Sequence, residues 1–150
     1  MQGRRFAAGL TAAALAVTPL AAPAVSGAAK SKVVAPKGKY KGATEQKGNL
    51  ILNISKDRKY VKVIFFQIVC DDEANGATGL QNLKLKKTSK GYKFGGGATS
   101  TVVYTDDTDA EGPVAVSGKF SKNGKTASGF LRVKTERCGD SGAVKWIATK

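Results

Sequence analysis

The 150-residue sequence contains no histidine. That absence removes imidazole acid–base catalysis, Ser-His-Asp and Cys-His nucleophile systems, and zinc sites built on imidazole ligands. Cysteine is limited to Cys70 and Cys138, with no Cys-x-x-Cys spacing to make a redox or metal motif. Arginine is scarce: after Arg4 and Arg5 only Arg58, Arg132 and Arg137 follow. Bidentate readout of phosphate or guanine draws on arginine, so intracellular nucleic acid is not an expected partner. No Ser-x-x-Lys spacing occurs either, and Ser55-Lys56, Ser89-Lys90 and Ser121-Lys122 read as turn residues, so the chain is expected not to be an enzyme.

What is present begins with a leader. Arg4 and Arg5 form a charged start, Phe6 to about Val17 an apolar stretch, and Pro19 and Pro23 end it short of the roughly 20 residues that a membrane span requires. Small residues follow, with cleavage expected after Ala28 or Ala29, so residues 1–29 read as a signal peptide. The remainder is expected to be secreted and extracellular, with no transmembrane segment after cleavage. Residues 30–39 read as a flexible basic arm, and 40–150 as a single β-domain.

In an oxidising compartment an even pair of cysteines in a small domain predicts a Cys70–Cys138 disulfide. A closed loop of 68 residues supplies about 4 kcal/mol on chain-entropy grounds.

Period-2 alternation recurs between Gly, Asn and Asp punctuation, which predicts an all-β fold. Leu50, Leu52 and Ile54 share one face of a first strand. Tyr60 to Cys70 is apolar on both faces, as in a strand covered on two sides or carrying a bulge. Asp71 to Gly79 reads as a polar loop, and Gly95-Gly96-Gly97 as a break in the pattern. Val114 to Phe120 and Ala127 to Val133 flank Asn123-Gly124 as a hairpin, and Val144, Trp146 and Ala148 share the inner face of the last strand. About eight strands with short turns fit an antiparallel sandwich or a small closed barrel.

Two clusters are candidate sites. Asp107, Asp109 and Glu111 match the first half of a calcium loop, because alternate residues in a tight turn converge oxygen ligands on a hard cation. The second half fails: Gly118 stands where a bidentate Glu is due, so calcium is a possible cofactor and an EF-hand is excluded. Lys84, Lys86, Lys87, Lys90 and Lys93 crowd five positive charges into ten residues of a chain whose net charge is +14. Such a stripe attracts polyanions, and it also blunts strand-to-strand aggregation at a sheet edge.

Gly38-Lys39-Tyr40-Lys41-Gly42-Ala43-Thr44, the strand ending in Cys70, Gly118-Lys119-Phe120, Ala127-Ser128-Gly129 and Cys138-Gly139-Asp140-Ser141-Gly142 before Trp146-Ile147-Ala148 give the chain a family likeness. It resembles small, functionally uncharacterised secreted β-domain proteins of bacteria, of the actinobacterial type. The resemblance implies a disulfide-linked β-scaffold and transfers no active site. The leading expectation is therefore a secreted, non-enzymatic β-domain that binds an extracellular polyanion, a cell-wall polymer or a protein. Alternatives are a calcium- or carbohydrate-dependent module using Asp106 to Glu111, and an inhibitor of an extracellular enzyme using the loop Asp71 to Gly79.

Overall fold

The computed structural model describes residues 32–70 and 74–150; the expected signal peptide and the acidic residues Asp71, Asp72 and Glu73 lie outside the described residues. The strands in chain order are β1 (Lys39–Thr44), β2 (Asn49–Ile54), β3 (Tyr60–Val69), β4 (Asn75–Lys84), β5 (Lys86–Thr88), β6 (Gly91–Tyr104), β7 (Asp109–Phe120), β8 (Thr126–Thr135), β9 (Gly139–Asp140) and β10 (Val144–Thr149). There is no helix among the described residues.

Eight of these strands close a ring in the order β1-β2-β3-β4-β6-β7-β8-β10, every neighbour antiparallel, and β10 returns to β1. This is an up-and-down barrel, which settles the choice between sandwich and barrel. β5 adds to the start of β6, and β9 to the end of β8.

Eight strands leave an interior just wide enough for side chains. Here Tyr40, Leu50, Leu52, Ile64, Phe66, Phe120 and Leu131 fill it, each under 2% exposed. Trp146 belongs to this core beside Phe94, with ring centroids 6.1 Å apart, so it is not a surface platform for sugars. The Cys70–Cys138 disulfide is formed, with Cα atoms 4.3 Å apart, and ties the end of β3 to the segment after β8.

The two-faced apolar character of β3 has a bulge as its cause. Val61 pairs with Ile54 but Val63 with Asn53, so Lys62 is extra and the buried set shifts from Val61 to Ile64, Phe66 and Ile68. Phe65 is left outside, opposite Ile51.

Two sequence expectations need correction. Asn75 to Gly79 is strand, not loop: Gly76 and Thr78 face the core and pair with Ile68 and Phe66. Gly95-Gly96-Gly97 does not interrupt anything either, because β6 runs straight through it paired to Val116 and its neighbours on β7. Composition hid both strands, since backbone pairing needs no side chain and glycine gives no hydrophobic period to read. In the basic segment before β1, the Val34 N–H donates to the Lys122 carbonyl and Pro36 is buried.

Candidate functional site

Strands that alternate in direction deliver their connections to opposite ends of a barrel. The β2–β3, β5–β6 and β7–β8 turns share one end, joined there by the N-terminal segment and Lys150. Backbone bonds hold these pieces together: Leu85 N–H to the Lys59 carbonyl (2.8 Å), Val34 N–H to that of Lys122 (2.9 Å) and Lys150 N–H to that of Lys125 (3.1 Å). The buried Tyr40 hydroxyl donates to the Gly124 carbonyl from inside.

Two of the turns use one local chemistry. Ser55-Lys56-Asp57-Arg58-Lys59 and Ser121-Lys122-Asn123-Gly124-Lys125 repeat a Ser-Lys-Asp/Asn-x-Lys pattern. In each, the serine hydroxyl donates to the Asp57 or Asn123 side chain, which also accepts from the backbone N–H of Lys59 or Lys125. The fourth residue is left-handed, Arg58 at φ 58° and Gly124 at φ 67°. Each turn therefore fixes its own backbone; Lys56, Lys59 and Lys125 are exposed and Lys122 is half-buried. Sequence reading treated these serines as bland turn residues; the repeated pattern was the signal that would have found a shared end.

Between them stands the β5–β6 hairpin. Its Thr88 hydroxyl donates to the Gly91 carbonyl (3.0 Å) and accepts from Lys90 N–H. Gly91, at φ 144°, is required there because a Cβ would lie 2.2 Å from the Phe120 carbonyl oxygen. This close approach seats the hairpin on β7 and creates a row: Lys86 is the direct partner of Lys93, and Lys93 of Lys119. Like charges directly opposite one another on neighbouring strands cost stability.

The structure thus brings Lys84, Lys86, Lys87, Lys90 and Lys93 to one end and adds Lys119, Lys122, Lys125, Lys56, Arg58, Lys59, Lys32, Lys37, Lys39 and Lys150. Among the described residues Asp57 is the single acid there, and the Ser55 hydroxyl and Lys59 N–H draw its carboxyl below the usual range. A surface cleft of about 310 Å³ is lined by Thr88, Ser89 and Lys90 of the hairpin, Tyr92 and Lys93 of β6, and Lys119 and Phe120 of β7.

The chain matches no family model, no curated protein and no solved structure.

The opposite end is different in kind. Glu45, Asp106, Asp107, Asp109, Glu111, Glu136 and Asp140 lie there or on the strand ends that lead to it. Asp106 accepts from the Thr108 hydroxyl (2.7 Å) and from Arg137 (2.7 Å), and these two donors hold its carboxyl down at about 2. Arg137 also stacks 4.5 Å over the Tyr104 ring. The arrangement fastens the β6–β7 turn to the residue beside Cys138, which is a structural use of charge. Asp107 is the left-handed residue at the turn tip (φ 61°), while Asp109 and Glu111 project outward from β7 opposite Val103 and Thr101. Among the described residues no three acidic or thiol groups converge as a metal ion would need.

A third feature is a groove of about 430 Å³ outside β6, β7 and β8, bordered by Gly97, Pro113, Ala115, Arg132, Lys134 and Asp140. Arg132 and Asp140 form a two-pronged ion pair across its rim, and the guanidinium holds the Asp140 carboxyl at about 2. Both groups satisfy each other there. Among the described residues no helix is long and apolar enough to cross a membrane.

Proposed function

We propose that the chain is an exported, non-enzymatic β-barrel module that binds an extracellular or cell-envelope polyanion through the lysine-rich end. The supporting observation is the partition of charge between the barrel's ends. Edge protection alone needs a lysine or two on β5, the strand with a free side. It gives no account of Lys119 on an interior strand, nor of two repeated turns that each present a pair of lysines. A field of one sign concentrated on one surface raises the local concentration of oppositely charged polymer and steers its approach.

Binding of the full chain to dextran sulfate and to polyphosphate, measured over a salt series, tests this reading. Released counterions make the logarithm of affinity fall linearly with the logarithm of salt concentration. Lys86→Gln, Lys93→Gln and Lys119→Gln together should weaken binding and flatten that slope, whereas Lys47→Gln with Lys145→Gln at the other end should change neither. Absence of binding at low salt, or equal losses from the two variant sets, would sink the proposal.

A further inference from the structure

We infer that the outer face of β2, β3, β4 and the end of β6 is where two copies of this chain meet, side by side and antiparallel, as a weak dimer. The other strands of the barrel carry charge on their outward sides: Lys41 on β1, Glu111 on β7, Arg132 on β8 and Lys145 on β10. By contrast, the outward positions of β2, of β3 from Val63 on, of β4 as far as Gln81 and of β6 from Thr99 to Val103 hold no charged side chain. Charged residues make up 24% of the chain, so composition alone does not leave four adjacent strands bare. In place of charge stand Phe65 and Val103, both exposed, and Ile51 and Val63, half-buried, among asparagine, glutamine and threonine. Phe65 lies in the middle of the face, with Ile51 and Gly79 as its direct partners on either side. Exposed apolar groups with charge depleted around them are the composition of the centre of a protein–protein contact. Phe130 and Ile147 are exposed as well, but Lys145 stands opposite the one and two residues from the other, so they form no such face.

Charge identifies the occupant. The bare face has none with which to recruit a partner of opposite sign, whereas the two ends of this same molecule are complementary to one another. Lysines and acids sit at opposite poles of the barrel, so two copies packed face to face and antiparallel set each lysine-rich end beside the other's acidic end. Lys62 and Lys84, exposed at the lysine-side border of the face, then approach Asp107 at the β6–β7 turn tip of the second copy and Asp109 beyond it. A parallel pair would instead press the two lysine-rich ends together, which like charge opposes. The antiparallel pair is two-fold and closed: one patch serves both copies, and the axis crosses the strands at Phe65. Three strand spacings of about 4.8 Å and about six residues of about 3.3 Å give a face of about 14 by 20 Å. That is well below the roughly 800 Å² per partner of a standard interface, so the dissociation constant should be about 100 μM.

Sedimentation equilibrium of the full chain, from micromolar to millimolar protein, is the test. It is run in about 0.1 M salt, where charges more than about 10 Å apart are screened and close pairs still act. The wild type should pass from monomer to dimer across that range. Phe65→Lys puts two like charges at the axis and should weaken the dimer at least about 100-fold. Phe65 is exposed, so that variant should melt near the wild-type temperature. Phe65→Thr, which keeps a strand-forming residue and adds no charge, should also lose most of the association. Lys62→Glu reports the orientation: it removes an attraction from the antiparallel pair and would relieve a repulsion in a parallel one, so it should weaken the dimer several-fold. A wild type that stays monomeric to millimolar concentration overturns the inference. So does a Phe65→Lys or Phe65→Thr chain that dimerises as the wild type does, or a Lys62→Glu chain that dimerises more tightly.

Discussion

The register Lys86–Lys93–Lys119 makes a prediction that runs against the usual effect of mutation, because the native residue is the destabilising one. Lys93 faces a like charge on each side. A directly opposed charged pair is worth roughly 0.2–1 kcal/mol in either direction, depending on sign. Lys93→Glu converts two unfavourable pairs into two favourable ones. With full solvent exposure taking back much of the Coulomb energy, the net gain should be about 1 kcal/mol. For a domain of this size that raises the melting temperature by about 5 °C. Thermal unfolding at about 20 mM and about 1 M salt is the assay, since a Debye length near 3 Å at the higher value should erase the gain. A Lys93→Glu chain that melts at or below the wild type in low salt refutes the charge-row reasoning, as does a gain that survives high salt. The same substitution should abolish tight polyanion binding. Stability rising as binding falls is the pattern expected where a surface is kept for a ligand at a cost to the fold.

Three further outcomes follow from other parts of the barrel. Reducing the Cys70–Cys138 bond, which closes 68 residues, should lower unfolding free energy by about 4 kcal/mol; denaturant melts with and without reductant measure it, and a loss under about 1 kcal/mol contradicts the loop-closure account. Asp106 should titrate near 2 in a carboxyl NMR experiment and move up toward the ordinary carboxylate range in Arg137→Gln. Because its folded value is depressed, the stability it contributes is present above the ordinary value near 4 and fades as pH falls toward 2. Gly118→Ala places a Cβ 2.6 Å from ring carbons of both Phe94 and Trp146, so it should cost roughly 1–3 kcal/mol in the same denaturant assay, whereas a Cβ on Gly95 meets nothing nearer than 3.4 Å and Gly95→Ala should cost far less.

Side-chain alternation made part of this barrel legible in the sequence and concealed the rest. Leu50, Leu52 and Ile54, the 114–120 and 127–133 hairpin, and Val144, Trp146 and Ala148 all face inward as their period-2 pattern predicts. Gly76 to Gly79 and Gly95 to Gly97 are paired as firmly but carry no such pattern, because their contribution is backbone bonding and room for neighbours: a Cβ on Gly79 would lie 2.4 Å from the Ile64 carbonyl oxygen. The lysines on β4, β5 and β6 were legible as a local cluster. Their union with Lys119, Lys122 and Lys125 was not, since those residues come together only through strand register. In the acidic run 106–111 the first member bonds to Arg137, 31 residues away, a partner that no local motif can announce.

That charge partition follows from a parity rule. In an up-and-down barrel, successive turns alternate between ends, so a sequence that loads every second turn with lysine builds a molecule with one cationic end. Here the β2–β3 and β7–β8 turns and the β5–β6 hairpin carry the lysines, while the intervening β1–β2 and β6–β7 turns and the 136–143 connection carry the acids. Applying the rule needs a correct strand count, and one missed strand inverts the assignment of every later turn. Reading 95–97 as a break splits β6 in two and spoils that count. With the strands in place, the Ser-Lys-Asp/Asn-x-Lys repeat becomes the strongest signal in the chain: two turns 66 residues apart share one chemistry and lie at one end of the barrel. A barrel needs only that each turn close. Asn123-Gly124 would do so with uncharged neighbours, so turn closure gives no account of the flanking lysines, and the proposed polyanion binding does.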